Sequence, residues 1–270
     1  MARRSGQTRS GGVRSLERGL ALLTAMNRRK LPSAVELARD TRLPRPTVYR
    51  LLETLSRAGF VARGSPADRF CLTPKVRTLS DGFLEDTWIA EIAAPLMAQF
   101  TRELVWPAAL MTFEQGRMLV RETTHEASVL SIDHGMVGRS LPMLRTAAGR
   151  CYLACCPANE RRAVLEMLSH SPVADDQGAK DRKRVGALLD AIRARGFAIQ
   201  DREINPKATG MAIPIRADSR ILGCLSLIWI SSALTIAEAE QRLLPPLRSV
   251  AQRIEAGVRE RAVARGGYAA

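Results

Sequence analysis

Residues 33–72 carry two short helical patterns separated by a tight break, and this arrangement constrains the fold more than any other part of the sequence. Ser33 is placed to cap the first helix. The apolar positions of that helix are Val35, Leu37 and Ala38. The chain then breaks over 41–44, and a second apolar stripe follows at the i, i+3, i+4, i+7 spacing of one helix face. Its members are Val48, Leu51, Leu52 and Leu55.

The second helix has a polar face at its start, and the chain after it has the pattern of a basic hairpin. The polar residues are Arg45, Thr47, Tyr49 and Arg50. A recognition helix needs this division, because one face packs on a core while the first turns meet base edges and phosphates. Gly59 is expected to end the helix. Two short strands, 60–63 and 69–72, then flank a turn at 64–68. The sequence therefore predicts a winged helix-turn-helix that binds double-stranded DNA.

The positive charge of the chain is concentrated in its first quarter. Residues 1–77 hold 17 Lys or Arg against 5 Asp or Glu, a net of +12 out of the formal +14. Residues 78–270 hold 24 against 22. Localised positive charge is typical of a polyanion partner, since each neutralised phosphate releases counterions. A basic disordered tail is expected only over residues 1–12, so it does not explain the charges within the helical patterns.

Composition limits the remaining classes of protein. A chain of 270 residues with 46% hydrophobic content favours two folded domains. No run approaches 18 apolar residues and no signal-peptide pattern is present, so a cytoplasmic protein without a membrane partner is expected. The five cysteines are odd in number and lack Cys-x-x-Cys spacing. They are expected to be buried, reduced thiols without a metal site or cofactor.

Four segments follow one another along the chain. After the basic tail, 13–74 forms the winged domain, whose first helix spans 13–27. The predicted buried stripe of that helix is Leu16, Leu20, Leu23 and Met26 or Asn27. Residues 75–88 are expected to form a linker helix that dimerises through Leu79, Phe83 and Leu84. Residues 89–264 form the second domain.

The second domain alternates strand and helix patterns. Strands are predicted at 108–113, 117–123, 128–133, 197–200, 211–216 and 221–230. Helices are predicted from the Thr146 cap to 156, at 157–168, at 180–195, and from a capping box at 235–238 to about 261. Strands, helices, strands and a last helix describe an α+β domain with a largely antiparallel sheet.

Four motifs together resemble the IclR family of bacterial transcriptional regulators. They are RGL at 18–20, RPTVYRLLETL at 45–55, FCLTPKVRTLSDGF at 70–83 and MVGRSLPMLRTAAGR at 136–150. Within the family, the chain looks closest to the activators of 3-(3-hydroxyphenyl)propionate catabolism, through KVRTLSDGF, AAPL at 93–96, VWP at 105–107, VRETTH at 120–125 and MAIPIR at 211–216. The resemblance covers nearly the whole chain. It implies a winged helix-turn-helix, a dimerising linker helix and a GAF-like effector-binding domain, assembled as a homodimer or a homotetramer.

The resemblance also assigns residues to two sites. It places the start of the recognition helix at Arg45, Thr47, Tyr49 and Arg50, and the pattern of the chain adds Arg14, Ser33, Arg63 and Arg69 as candidate DNA-binding residues. The effector-binding residues would be Trp106, Met111, Gly138, Leu141, Leu144, Thr146, Met211, Cys224, Ser226 and Ile228. Bulky, apolar residues on the last strand favour an aromatic carboxylate over a small keto acid. For the carboxylate we expect the backbone N–H groups at the helix start near Thr146, where unpaired donors attract an anion.

The predicted function is that of a DNA-binding regulator, an activator of an aromatic catabolic operon such as hydroxyphenylpropionate degradation. An alternative is an IclR-type repressor that responds to a small keto acid or another metabolite. An enzyme with a basic DNA-binding domain is disfavoured, because the sequence has no Gly-x-Ser-x-Gly, no His-Glu-x-x-His, no phosphate-binding glycine loop and only three histidines. No catalytic residue is assigned.

Overall fold

The computed structural model describes residues 13–29, 31–66, 68–79, 87–133, 135–218 and 220–264. The chain divides into two compact units, here called the N-terminal unit (13–79) and the C-terminal unit (87–264). In the described part of the chain, no helix has both the length and the apolar content needed to span a bilayer.

The N-terminal unit has three helices followed by a two-stranded hairpin, as the sequence predicts. The elements are α1 (Arg14–Asn27), α2 (Ala34–Thr41), α3 (Arg45–Arg57), β1 (Val61–Arg63) and β2 (Phe70–Leu72). The two strands pair antiparallel. A core of buried residues joins all five elements: Leu22, Ala25, Met26, Ala34, Leu37, Val48, Leu52, Val61 and Phe70.

Local signals set the ends of α2 and α3. The Ser33 hydroxyl accepts the Glu36 N–H at 3.3 Å, while the Glu36 carboxylate accepts the Ser33 N–H at 2.8 Å, which completes a capping box. Gly59 follows the C-cap of α3 with φ +80°, a left-handed conformation that costs glycine little. The predicted helix ends are therefore confirmed within about one residue.

The buried face of α1 differs from the predicted one. Leu16 and Leu20 are exposed, at 61% and 53%, whereas Leu22 and Met26 are buried. The spacing of apolar residues along α1 fits two neighbouring faces of the helix equally well. Contacts with α2 and α3 select the face that includes Leu22, and periodicity alone does not encode that choice.

The predicted linker helix is only partly covered by the described residues. A 3-10 helix spans Pro74–Leu79, and the Lys75 ammonium donates to the Ala58 carbonyl at 2.8 Å. Residues 80–86, including Phe83 and Leu84, lie outside the described residues. Helical structure is present again at 87, and Trp88 packs against the core of the C-terminal unit.

The C-terminal unit is a six-stranded antiparallel sheet with helices on both faces. Its strands are β3 (Ala108–Glu114), β4 (Arg117–Thr123), β5 (Ser140–Pro142), β6 (Ala198–Asp201), β7 (Ala208–Ala217) and β8 (Arg220–Ile230). Their order in the sheet is β5-β4-β3-β8-β7-β6. The helices are α4 (Ala94–Leu104, entered through a π-helical turn at Ile89–Ala93), α5 (Ala147–Cys155), α6 (Ala158–Ser169), α7 (Arg182–Arg195) and α8 (Ile236–Ala264). The predicted α+β class is confirmed.

Each face of this sheet has its own core. On one face α5, α6 and α7 pack over residues such as Met118, Val120 and Cys224. On the other face α4 and α8 pack over residues such as Leu110 and Trp229. Side chains alternate between the faces along a strand, so neighbours in sequence belong to different cores.

The strand predicted at 128–133 is wrong. Serine side chains organise this segment into turns instead. The Ser128 hydroxyl donates to the Val105 carbonyl and accepts the Leu130 N–H at 3.2 Å, while Ser131 donates to the Asp133 carbonyl at 2.8 Å. Such local side-chain bonds compete with strand pairing. The short β5 pairs with β4 in its place.

Candidate functional site

The N-terminal end of α3 presents the residues predicted to read DNA. Arg45, Tyr49 and Arg50 are exposed, Thr47 is half-buried, and Val48 between them is fully buried. Within the described N-terminal residues, neither Arg45 nor Arg50 forms an ion pair. Both guanidinium groups are therefore available to phosphates or base edges, which they recognise as charged, bidentate donors.

Two other predicted DNA-binding residues have partners inside the protein. The Arg69 guanidinium donates to the Glu36 carboxylate at 2.8 Å and to the Leu31 carbonyl at 3.2 Å. The Ser33 hydroxyl belongs to the capping box of α2. The Arg69 side chain thus ties the wing to the start of α2, and the Ser33 side chain caps α2, so each has a structural role inside the unit.

Arg63 and Arg14 lie on the surface of the N-terminal unit. Arg63 is exposed on β1, with its guanidinium 6.0 Å from the centre of the Phe70 ring. Arg14 is the exposed first residue of α1. A groove of about 520 Å³ between α1 and α3 is lined by Arg18 and Arg50 together with Leu16, Ser15, Thr47, Leu51 and Thr54. Positive side chains therefore lie on both sides of the recognition helix.

The C-terminal unit has a cavity between the sheet, the start of α5 and two loops. We refer to this space simply as the cavity. Its volume is about 50 Å³. The predicted effector-binding residues that line it are Met111, Leu141, Thr146, Ser226 and Ile228. The rest of the lining is Asp133, Met136, Ala147, Ala148, Gln200, Ile204, Asn205, Ala208 and Gly210.

The other predicted effector-binding residues lie elsewhere. Trp106 and Met211 are packed in the core with α4 and α8, on the opposite face of the sheet. Leu144 lines a separate pocket, and Cys224 is buried beneath α5. Gly138 is exposed in the loop before β5 and has no lining contact with the cavity. The alternation of side chains across the sheet accounts for the displacement of Met211 relative to its neighbour Gly210.

The start of α5 brings backbone donors to the cavity. The Thr146 hydroxyl accepts the Gly149 N–H at 3.0 Å and donates to the Pro142 carbonyl at 2.9 Å. The predicted helix cap is thereby confirmed. First-turn N–H groups have no partner within a helix, so those of Ala147 and Ala148 remain for a ligand. Both residues line the cavity.

Gln200 is the buried polar residue that the sequence analysis missed. It lies on the edge strand β6, is only 6% exposed and lines the cavity. Its Oε1 accepts the Glu203 N–H at 3.0 Å. A signal existed in the sequence, because Gln200 occupies an inward position of the alternating segment that begins at Phe197.

The loop over the cavity is held from outside by two arginines. The Arg150 guanidinium forms a bidentate pair with the Glu203 carboxylate at 2.5 Å and donates to the Ile199 carbonyl at 2.9 Å. The Arg145 guanidinium bonds both the Glu203 carbonyl and the Asp175 carboxylate. Glu203 is therefore fixed through its side chain and its backbone.

The thiols of α5 are poor candidates for chemistry. The hydrogen bond with Cys151, together with burial, raises the pKa of the Cys155 thiol. Burial raises the pKa of the Cys156 thiol to about 11. Both stay protonated near neutral pH, whereas nucleophiles and metal ligands are thiolates.

Across the described residues, no group of three or more His, Cys, Asp or Glu is arranged to hold a metal ion. His125 is buried and its Nδ1 lies 2.6 Å from the Ser131 hydroxyl, while His134 lies outside the described residues.

Comparison with known proteins places both units in one family. Residues 15–65 match the IclR helix-turn-helix domain, and residues 82–256 match the bacterial transcriptional regulator IclR C-terminal domain. The Pca regulon regulatory protein of Pseudomonas putida is 30% identical over 86% of this chain and 80% of its own length. The matched families and relatives are transcriptional regulators and not enzymes.

Solved structures share the fold. The Thermotoga maritima IclR structure aligns with a TM-score of 0.61 over 90% of this chain and 98% of its own, at 17% identity. An IclR homologue from Microbacterium hydrocarbonoxydans, complexed with 4-hydroxybenzoate, aligns with a TM-score of 0.59 over 91% and 99%, at 22% identity. With two family domains matched in order, the chain belongs to the IclR family of bacterial transcriptional regulators.

Proposed function

We propose that this regulator binds an inverted or pseudo-palindromic operator through α3 of two copies, and that a small aromatic carboxylate in the cavity controls that binding. The observation that carries the proposal is a cavity whose walls are mainly apolar and carry a few polar groups. The Pca regulon regulator and the homologue complexed with 4-hydroxybenzoate support an aromatic effector.

The lining suits a ring that carries a carboxylate and a hydroxyl. Met111, Met136 and Ile228 provide adaptable apolar surface for a ring. The N–H groups at the start of α5 favour an anion, because the helix dipole adds to their donor capacity. The Ser226 hydroxyl donates its proton to the Ala109 carbonyl at 3.1 Å, so its remaining capacity is to accept a ligand O–H.

Ligand entry requires the cavity to expand. A volume of about 50 Å³ is well below the roughly 150 Å³ of a cavity that holds benzene. Asn205 and Asp133 both line the cavity, and Asn205 Nδ2 lies 3.5 Å from an Asp133 carboxylate oxygen. A bond this long is weak, and the two loops it joins are the natural place for opening. An effector that binds the open form shifts the equilibrium towards it.

The linker segment 75–88 is our proposed dimer contact. Leu79 is 61% exposed at the end of the 3-10 helix, so its side chain is accessible to a second copy of the chain. Two copies held at fixed spacing allow two half-sites to be read together. Sedimentation of a Leu79→Asp/Phe83→Asp double variant tests the contact, and folded monomers are the expected result.

Isothermal calorimetry with 3-(3-hydroxyphenyl)propionate, 4-hydroxybenzoate, unsubstituted benzoates and pyruvate tests the effector. We expect saturable heat with at least one aromatic acid, followed by a change in operator affinity with the same compound present. Ala148→Leu fills the apolar wall and should abolish the heat, whereas Ala21→Leu on exposed α1 is the matched control. Binding of pyruvate alone would contradict the aromatic assignment and favour the keto-acid alternative.

We further propose activation as the output, on the basis of the resemblance to activators of hydroxyphenylpropionate catabolism. A promoter fusion in a strain that lacks the regulator measures this directly. Activation predicts that expression requires both the regulator and the aromatic acid. Expression that rises when the regulator is removed would instead identify a repressor.

A further inference from the structure

The amide of Gln200 has a fixed orientation. Its Oε1 accepts the Glu203 N–H, and a backbone N–H only donates, so the carbonyl end of the amide must lie at this bond. The Nε2 end lies on the other side. Among the described residues, Nε2 has no hydrogen-bond partner, although the side chain is only 6% exposed. The nitrogen itself is not fully enclosed by the protein, and Gln200 lines the cavity, so a ligand there can accept a hydrogen bond from this NH2 group.

The neighbouring strand leaves space around that nitrogen. Gly210 on β7 lies directly opposite Gln200 in the register and also lines the cavity. A Cβ at position 210 would lie 3.3 Å from Gln200 Nε2, closer than an ordinary contact. The absence of a side chain at Gly210 therefore leaves the amide nitrogen open to the cavity.

The Arg150–Glu203 pair keeps Glu203 in place. Arg150 is 12% exposed and bonds the Leu144 carbonyl at 2.6 Å as well as Ile199 and Glu203. It thereby ties β6 and the start of α5 to the loop. Because the Glu203 N–H is held in one direction, the Gln200 amide cannot flip without losing that bond.

We propose that Gln200 is a specificity-determining residue of the cavity, and that Arg150 and Glu203 are positioning residues that keep its NH2 group directed inward. The site then selects a ligand that presents an acceptor oxygen, such as a carboxylate, and discriminates against one that presents a donor. The N–H groups of Ala147 and Ala148 line the same space and favour the same ligand chemistry. This inference rests on the proposed effector function of the cavity.

Calorimetry on the full chain with 4-hydroxybenzoate and 4-hydroxybenzamide tests the selection, because the amide replaces one acceptor oxygen with a donor NH2 group and removes the negative charge. The wild-type protein should bind the acid more tightly than the amide. Gln200→Glu keeps the shape of the side chain but replaces the donor with an anion, and it should weaken acid binding by about 10- to 100-fold. Gln200→Met is a second variant that removes the donor without adding charge, and it should weaken acid binding less than Gln200→Glu does.

The positioning role of Glu203 is tested by the ratio of the affinities for the acid and for the amide. In Glu203→Gln the ion pair is lost while the backbone N–H remains, so the acid-to-amide affinity ratio should fall several-fold as the Gln200 amide becomes free to flip. A purely structural role of Glu203 would lower both affinities together and leave the ratio unchanged. Glu166→Gln removes another arginine-paired carboxylate, far from the cavity lining, and serves as the matched control.

A second probe separates failure of this inference from failure of the proposed function. Formate is a carboxylate small enough for the present cavity, and formamide is its neutral counterpart. With glutamine side chains labelled by ¹⁵N, formate should shift the Gln200 NH2 signal, and formamide, which has one acceptor oxygen and no charge, should shift it less. If aromatic acids bind equally well to the wild type and to Gln200→Glu, the selection inference is overturned while the function stands. If no aromatic acid binds, the proposed effector is wrong, and a Gln200 signal unmoved by formate would overturn the inference as well.

Discussion

The start of α3 exposes its functional groups to solvent, whereas the cavity buries most of its polar side chains. Around α3, Arg45, Tyr49 and Arg50 extend into solvent while Val48 anchors the helix. In the cavity, Gln200 and Ser226 are buried and depend on neighbours in other elements for their orientation. An exposed site needs only a correctly oriented helix, whereas a buried site needs correct packing of several elements. The two units should therefore respond differently to mutation.

The largest effect is expected from Gly149→Ala in α5. A Cβ at this position would lie 2.2 Å from the Met143 carbonyl oxygen and 2.6 Å from its Cα, and backbone atoms cannot easily move away. We expect the C-terminal unit to lose at least ~3 kcal/mol of stability. All three tryptophans lie in the described part of that unit, so thermal melting followed by tryptophan fluorescence measures its stability alone.

Gly186→Ala in α7 is the matched control. No atom lies within 4 Å of the position of its Cβ, and alanine is the better helix former by about 0.5–1 kcal/mol. The melting temperature should rise slightly. Hydrogen exchange in peptides from 33–72 should stay unchanged in both variants, and faster exchange there would contradict the independence of the two units.

DNA binding should be sensitive to Arg45 but insensitive to loss of an exposed arginine in the C-terminal unit. Arg45→Ala should cost ~1–3 kcal/mol of operator binding and reduce discrimination between operator sequences, if this side chain contacts a base. Fluorescence anisotropy with matched and mutated operators measures both quantities. Arg162→Ala removes an exposed arginine of α6 and should leave operator affinity unchanged. Equal losses in the two variants would indicate a general charge effect.

Substitution of the two wing arginines, Arg63 and Arg69, should affect different properties, DNA affinity in one case and stability in the other. Arg69→Ala removes the bonds to Glu36 and Leu31, and because the side chain is 37% exposed the expected loss of stability is about 1 kcal/mol. Its DNA affinity should change little. Arg63→Ala should leave stability intact, weaken binding to all sequences alike and reduce the salt dependence by about one counterion. Titrations of DNA binding at several salt concentrations distinguish the two variants. If Arg69→Ala reduced the salt dependence and Arg63→Ala did not, Arg69 would be the residue that contacts DNA.

The smallest expected effect is a loss of stability of the N-terminal unit at acidic pH. The pKa of Glu36 is held below its ordinary value of 4.5. The main cause is the hydrogen bond from the Ser33 N–H, followed by the hydrogen bond with the Ser33 hydroxyl and the nearby charge of Arg69. The contribution of Glu36 to stability is therefore present above pH 4.5 and is lost as the pH falls through the lowered pKa. Backbone NMR signals of α2, followed with temperature between pH 6 and pH 3, should show this loss. Glu36→Gln should flatten the dependence, and Glu53→Gln on exposed α3 should not.

Much of the N-terminal unit could be predicted because its signals are local. A capping serine, a glycine after the helix and one apolar stripe specify α2 and α3 within a few residues of chain. The predicted polar face of α3 is the complement of that stripe, so exposure of Arg45 and Arg50 follows from periodicity. The same reasoning failed on α1, where two faces fit the spacing and packing selected the one with Leu22.

The cavity was predictable only in outline, for a physical reason. The sequence by itself determined the class of most elements, the Thr146 cap and the family, because these depend on neighbours along the chain. Which strand residues face the cavity depends on register and on the side of the sheet, so Met111 and Ile228 line it while Trp106 and Met211 belong to the opposite core. The orientation of Gln200 depends on Arg150 and Glu203, residues that only tertiary structure brings together. Local interactions therefore fixed the elements, and long-range packing decided the site.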